Sequence, residues 1–199
     1  MLDPDRTLAL AERVAQTAER LGIRTALIGA AALAVHGYTR GTEDVDLAAV
    51  VPPGTGLRSL AEELQSTGLH VELRLPDDDD PLGGVLIVRA AEDPGEESMD
   101  VVEVVNFFNP ARPVANPALQ AIARASALEG VQLRCVSLAD LVALKLYAGS
   151  RSDLADIVQV LARNPDTDVQ ALRSIGAPFD SKRCLDGLIE EARVLRGAD

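Results

Sequence analysis

Asp44 and Asp46, separated by one residue, are the side chains of this sequence best suited to chemistry. They open an apolar stretch, residues 44–51, which a Pro-Pro-Gly turn closes, and this pattern predicts a β-strand. Side chains alternate along a strand, so both carboxylates would project from one face of the sheet. Two adjacent carboxylates raise each other's pKa unless a cation lies between them, and Mg²⁺ is the most frequent such partner. Taken alone, the pair also fits an exposed edge strand whose polar face is in water.

A second feature with a chemical use lies upstream, where the predicted strand 24–28 runs into Gly29. The Ala-rich segment 30–35 shows no alternation, which predicts a short helix. A glycine lets a phosphate approach the backbone, and the first N–H groups of a helix point toward such an anion. The alternative is a tight strand-to-helix turn in which glycine is merely convenient. Between this turn and the aspartates, Arg40 is a candidate for contacting phosphate or bracing the carboxylates. Thr42 would orient the first aspartate or cap the turn.

The segment 27–48, LIGAAALAVHGYTRGTEDVDLA, resembles the first motif of the nucleotidyltransferase-like fold, as found in the AbiEii toxin group and its small relatives. In that family a Gly-Gly or Gly-Ser pair precedes the D-x-D pair on the neighbouring strand. Gly29 matches the first position of the pair, and Ala30 departs from the second. A serine there could bind a phosphate through its hydroxyl, whereas Ala30 offers only its backbone N–H.

The resemblance also implies a third carboxylate on a strand beside the D-x-D strand. The segment 99–102, MDVV, fits that pattern, and Glu103 follows on the opposite face of the same predicted strand. Asp100 shares its face with apolar residues, and burying an ionised carboxylate is costly unless it is paired or binds metal. We therefore predict Asp100 as the third metal ligand, ahead of Glu103.

A further resemblance to the AbiEii group lies in the C-terminal third of the chain. The segment 137–146, SLADLVALKL, resembles the helix in which the family carries a lysine, here Lys145, and the segment 151–156, RSDLAD, resembles its arginine-and-double-aspartate helix. Asp153 and Asp156 are three residues apart and therefore lie on one helix face. Lys145 would reach a phosphate. The alternative is a structural ion pair between Lys145 and Asp156 that joins two packed helices.

The elements around these residues predict a mixed α/β (α+β) sheet flanked by helices. Five to six strands are expected, at 24–28, 44–51, 69–75, 85–89, 99–107 and 131–136. Residues 1–136 would form the nucleotidyltransferase-like core, and residues 137–199 a helical C-terminal extension packed on it.

Composition narrows the classes of function. The chain has 199 residues, 47% of them hydrophobic, enough to bury a full core without disulfides. Its net charge of −12 argues against a surface that holds nucleic acid mainly by neutralising phosphates, and 3% aromatic residues leave little for base stacking. The N-terminus lacks a signal-peptide pattern, and the longest apolar run, residues 26–35, is half a membrane span. We expect a cytoplasmic protein, not associated with membranes, with Cys135 and Cys184 as reduced thiols.

The resemblance implies transfer of a nucleoside monophosphate from an NTP to a hydroxyl acceptor, such as tRNA or protein, with release of pyrophosphate. The residues expected to bind two Mg²⁺ ions and carry the reaction are Asp44, Asp46 and Asp100. Those expected to contact the nucleotide are Gly29, Ala30, Arg40, Thr42, Lys145 and Asp156. In the AbiEii group the acceptor can be the 3′ end of tRNA, and the proteins are toxins paired with an antitoxin.

Two other functions fit the same residues. A catalytically inactive nucleotidyltransferase-like protein, serving as a nucleotide-binding or interaction module, is favoured by Ala30 and by the acidic net charge. A metal-dependent phosphatase or nuclease would use the same carboxylates but would leave the Gly29 turn without a role.

Overall fold

A seven-stranded mixed sheet, in the order β3-β4-β5-β2-β1-β7-β6, lies at the centre of the fold in the computed structural model, which describes residues 4–42, 44–90 and 100–197. The strands are β1 (Ala26–Leu27), β2 (Val45–Ala49), β3 (His70–Arg74), β4 (Val85–Arg89), β5 (Val101–Asn106), β6 (Ser126–Ala127) and β7 (Arg134–Cys135). β2 runs parallel to β5 and β1 parallel to β7, while the other neighbouring pairs are antiparallel. The predicted mixed α/β fold is confirmed. β6 was missed because two residues are too short to show a period.

Helices cover the sheet and continue to the end of the described chain. Within the described ranges they are α1 (Pro4–Arg20), α2 (Gly29–Val35), α3 (Arg58–Ser66), α4 (Ala118–Arg124), α5 (Leu138–Ala148), α6 (Arg151–Arg163), α7 (Val169–Gly176) and α8 (Leu185–Gly197). A π-helical turn, Pro53–Leu57, precedes α3, and a 3₁₀ turn, Ala177–Phe179, follows α7. None of the helices in these ranges is both long and apolar enough to cross a membrane.

Local sequence signals set the ends of the two helices nearest the predicted site. The Ser137 side chain accepts a hydrogen bond from the backbone N–H of Asp140 and so caps α5. Gly149, with φ of +64°, ends α5 in the left-handed conformation that glycine tolerates best. Ser150 and Asp153 then form a reciprocal capping box that starts α6. Only Gly149 and Ser150 separate the helices, and this short link keeps them adjacent.

The two faces of the sheet differ in burial. Along β5, Val102 and Val104 are fully buried and contribute to the main core, whereas Glu103 between them is only half-buried. α1 packs against β2 and β5 on the apolar face, and α4 also packs against β2. The opposite face of β2 and β5 is therefore the partly open one, and it can present polar side chains to a ligand.

A second apolar cluster is formed by the C-terminal helices. α5 contributes to both clusters, because Leu141 and Leu144 belong to the sheet core while Val142 and Leu146 belong to the helical cluster. The predicted boundary after residue 136 thus falls at the start of the helix that packs on both sides. One consequence is that residues on α5 and α6 are held at a fixed place beside the sheet.

Candidate active site

Three carboxylates meet where β2 and β5 run side by side. Asp46 on β2 pairs in register with Glu103 on β5, so the two side chains project from the same face of the sheet. Asp44 precedes Asp46 by two residues and shares that face. One carboxylate oxygen of each residue lies within 4.8 Å of those of the other two, close enough for one divalent cation to join them. The predicted aspartate pair is thus part of a carboxylate triad, Asp44, Asp46 and Glu103.

Burial and mutual repulsion disfavour the ionised form of two triad carboxylates, Asp46 and Glu103. Burial, followed by repulsion from Asp44 and Glu103, raises the pKa of Asp46 from its ordinary 3.8 to about 7. Lys145 and Arg40 lower this pKa but do not outweigh the burial. Burial and the charge of Asp44 also raise the pKa of Glu103. A divalent cation would relieve both the burial penalty and the repulsion, so these hard oxygen donors suit an ion such as Mg²⁺.

Asp100, predicted as the third ligand, is not brought to the triad. It lies on the opposite, buried face and is 5% exposed. Its Oδ1 accepts a hydrogen bond from the Thr7 hydroxyl at 2.7 Å, and its Oδ2 is 3.5 Å from Nε of Arg6, both on α1. A buried carboxylate does need a partner, and for Asp100 that partner comes from α1 rather than from a metal site. Glu103 takes the third position, which corrects the preference for Asp100.

Gly29 is required by the site itself. It has φ of +58°, and a Cβ at this position would overlap Oδ2 of Asp46 and lie 2.9 Å from its Cγ. The N–H of Ile28 donates to the backbone oxygen of Asp46 at 3.0 Å, and this bond holds Gly29 close to the Asp46 side chain. The side chain of the following residue, Ala30, is buried in the first turn of α2. The turn predicted to admit a phosphate thus also makes room for a carboxylate of the triad.

Thr42 contacts both the side chain and the backbone of Asp44, so it fits both predicted roles, orienting the first aspartate and capping the turn. Its hydroxyl lies 2.8 Å from Oδ1 of Asp44 and 3.0 Å from the Asp44 backbone oxygen, so it can donate to either. The side chain that closes the turn before β2 is therefore also the one that orients the first carboxylate of the triad.

Beside the triad lies a neutral network of four charged residues. Lys145 donates from Nζ to Asp153 Oδ1 at 3.0 Å and to Asp156 Oδ2 at 2.8 Å. Arg40 donates from Nε to the same Asp156 oxygen at 3.1 Å. The structural ion pair between Lys145 and Asp156 is therefore present. Contact of Lys145 or Arg40 with phosphate stays a prediction.

An open cleft of about 530 Å³ lies next to Gly29. Its walls are mostly apolar and come from β5, α5 and the loops around residues 81–82 and 112–115. Lys145, Asp153 and Arg112 are the charged residues on its lining. A cavity of this size, with apolar walls and a few charged groups, suits a small organic ligand. Arg112 was missed from the sequence because it lies in an aperiodic loop.

The family model for the nucleotidyl transferase AbiEii toxin of type IV TA systems matches residues 14–193. The chain belongs to the AbiEii nucleotidyltransferase family. This assignment confirms the resemblance stated from the sequence, and with the fold it supports an enzyme of the nucleotidyltransferase class.

Solved structures show the same fold. An antigenic nucleotidyltransferase-like protein from Paracoccidioides brasiliensis is 21% identical with a TM-score of 0.58, and the match covers 96% of this chain and 94% of that one. ANT(2'')-Ia, in a crystal structure with adenylyl-2''-tobramycin, is 15% identical with a TM-score of 0.51, over 89% of this chain and 98% of that one. No curated protein is significantly similar to the AbiEii-family chain described here.

Proposed function

We propose that this protein uses a divalent metal, Mg²⁺, to transfer a nucleoside monophosphate from an NTP to a hydroxyl acceptor. The observation that carries the proposal is the convergence of Asp44, Asp46 and Glu103 beside a cleft lined by Gly29 and Lys145. A phosphatase or nuclease would use the same carboxylates. The apolar cleft beside them favours a ligand with an organic part, such as a nucleotide.

In the proposed reaction the acceptor oxygen bonds to the α-phosphorus of the NTP. The bond from that phosphorus to the bridging oxygen breaks, and pyrophosphate leaves. Metal held by the triad would stabilise charge on the entering and leaving oxygens, with two ions expected when the NTP is bound. The proton of the acceptor hydroxyl would pass to a neighbouring carboxylate of the triad, in the role of general base.

The cleft gives each part of the nucleotide a different surface. Its apolar walls, which include Phe107 and Tyr147, would hold the base and ribose. Lys145 and Arg112, the two cations on the cleft lining, would supply positive charge for the phosphates. Arg40 is bound to Asp156 and would act by holding the network in place rather than by direct contact.

Labelled NTPs provide the direct test. The wild-type protein is incubated with Mg²⁺, each α-labelled NTP in turn, and either total tRNA or total protein. We expect label on one acceptor class, and a loss of at least about 100-fold in Asp46→Asn and in Glu103→Gln, because each removes a charge needed in the transition state. Asp100→Asn is the matched control on the opposite face and should keep the wild-type rate per folded molecule.

Two outcomes would overturn parts of this proposal. A wild-type protein that binds Mg-NTP in calorimetry but labels no acceptor would be a binding module. If Glu103→Gln labels normally while folded Asp100→Asn does not, the assignment of the third carboxylate is wrong.

We further propose that the protein is the toxin of a toxin–antitoxin pair, as the family description suggests, and that its acceptor is the 3′ end of tRNA. The net charge of −12 favours recognition of a strand end over contact with a long phosphate backbone. Induced expression in a bacterial host should arrest growth, whereas Asp46→Asn at the same soluble level should not. Equal growth of both strains would exclude the toxin role in that host.

A further inference from the structure

We infer that Asp153 sets the affinity of the cleft for the nucleotide phosphates, by holding Lys145 in the free protein and releasing it when those phosphates bind. The inference rests on the proposed function only in taking the cleft beside Gly29 as the nucleotide site.

The position of Asp153 separates it from the other partner of Lys145. Asp156 is 4% exposed, and the same oxygen that binds Lys145 also accepts from Arg40. Asp153 lines the cleft together with Lys145, and 21% of its side chain is exposed. A phosphate that reaches Lys145 from the cleft therefore meets the contact with Asp153 first, while the contact with Asp156 lies behind it.

The Asp153 side chain has hydrogen bonds that hold its position without the contact to Lys145. Its Oδ2 accepts from the Ser150 hydroxyl at 2.6 Å and from the Ser150 backbone N–H at 3.2 Å. Burial raises the pKa of Asp153, but the hydrogen bonds from Ser150 and the charge of Lys145 outweigh it and hold the pKa below its ordinary value. The side chain is thus an ionised carboxylate at the cleft wall, anchored independently of Lys145.

The charge of the network determines whether loss of Asp153 strengthens or weakens phosphate binding. Arg40 and Lys145 are balanced by Asp153 and Asp156, so the cluster is neutral when no ligand is bound. An incoming triphosphate must compete with Asp153 for Lys145 and is repelled by the same carboxylate. Replacing Asp153 by asparagine keeps an oxygen for the helix cap, leaves Lys145 bound to Asp156, and makes the cluster positive by one charge.

Calorimetry on the full chain tests this. Wild type, Asp153→Asn and Asp168→Asn are titrated with Mg-ATP, Mg-CTP, Mg-GTP and Mg-UTP, and with inorganic tripolyphosphate as a probe without a base. Asp168 is the matched control, since it too accepts backbone N–H groups at the start of a C-terminal helix but does not line the cleft. We expect Asp153→Asn to bind both the tightest nucleotide and tripolyphosphate about tenfold more tightly, the scale of one partly screened charge interaction. Asp168→Asn should stay within about twofold of wild type.

Several results would overturn the inference. Unchanged or weaker binding by a folded Asp153→Asn protein would mean that Asp153 positions Lys145 instead of competing with phosphate. Tighter binding of the nucleotide without tighter binding of tripolyphosphate would place Asp153 against the base or ribose. If Asp153→Asn does not fold, Asp153→Gln carries the same test. A wild type that binds none of these ligands refutes the proposed function itself, so the two failures are distinguishable.

Discussion

Replacing Asp46 by asparagine should stabilise the metal-free protein at pH 8 while abolishing nucleotidyl transfer. The carboxylate is half-buried against Gly29 and faces Asp44 and Glu103, so its ionised form is held at a free-energy cost. Asparagine has nearly the same shape and fits the same space, but it carries no charge. The change therefore removes the repulsion without opening a cavity.

The magnitude follows from the pKa. A rise from 3.8 to about 7 corresponds to about 4 kcal/mol, because one pKa unit is worth about 1.36 kcal/mol. Relaxation and water entry reduce this, so about 2–4 kcal/mol is expected. The penalty is absent below about pH 4, where Asp46 is protonated in both the folded and the unfolded state. It grows as pH rises, since the folded protein retains a proton that the unfolded chain has lost, and it is complete above about pH 7.

The assay is urea unfolding followed by circular dichroism at pH 5, 6, 7 and 8, with EDTA present. The stability of Asp46→Asn relative to wild type should increase by about 2 kcal/mol between pH 5 and pH 8. Glu72→Gln is a suitable control. This exposed carboxylate lies on the same face of the sheet, but its pKa is lowered by the hydrogen bond from Arg74. Its replacement should give no such increase.

Magnesium supplies the second half of the test. In 10 mM MgCl₂ at pH 8, wild type should gain stability by mass action, about 1.4 kcal/mol for a dissociation constant near 1 mM, and EDTA should reverse the gain. Asp46→Asn should gain much less. A stability difference between variant and wild type that is the same at every pH would refute the reasoning, because Asp46 would then ionise as an ordinary aspartate.

Three further predictions concern the contacts of individual residues. Gly29→Ala should destabilise the fold and abolish Mg²⁺ binding, because its Cβ would displace Asp46. Gly37→Ala is the control: it is also at positive φ but has open space around it, so it should lower stability by only about 1–2 kcal/mol and leave Mg²⁺ binding intact. Urea unfolding measures the stability and calorimetry the binding. Lys145→Met should weaken binding of tripolyphosphate at least about tenfold and, by leaving buried carboxylates underpaired, lower stability by about 3 kcal/mol. Asn106→Ala should lower stability by about 2–3 kcal/mol in urea without altering Mg²⁺ binding, because this fully buried amide bonds backbone groups of two loops.

The local structure that the sequence predicts around the site depends on short-range geometry. Asp44 and Asp46 share a face because strands alternate, and Gly29 lies where a strand turns directly into a helix, at the first residue of α2. In the structure, Ser137 and Ser150 likewise start α5 and α6 through contacts that act within one helical turn. In each case the deciding residues are only a few positions apart.

The choice between Asp100 and Glu103 needed long-range information. It depends on the register of β5 against β2 and on which face of the sheet α1 covers. A sequence without a structure specifies the alternation of these two acids but not which of them faces Asp46. From the sequence, burial of Asp100 among apolar residues therefore predicts a metal ligand, whereas in the structure the hydroxyl of Thr7 donates a hydrogen bond to it.

The division of charge in the site is the feature that favours catalysis over a purely structural role. Lys145 and Arg40 lie close enough to lower the pKa of Asp46, yet their direct partners are Asp153 and Asp156. Had both cations bonded to the triad, the protein would have neutralised most of its negative charge and removed most of the repulsion. The fold instead keeps the acidic triad uncompensated and satisfies the cations elsewhere. A structural ion-pair network would gain stability from the opposite arrangement, so the retained repulsion is best explained by an external cation that binds the triad during function.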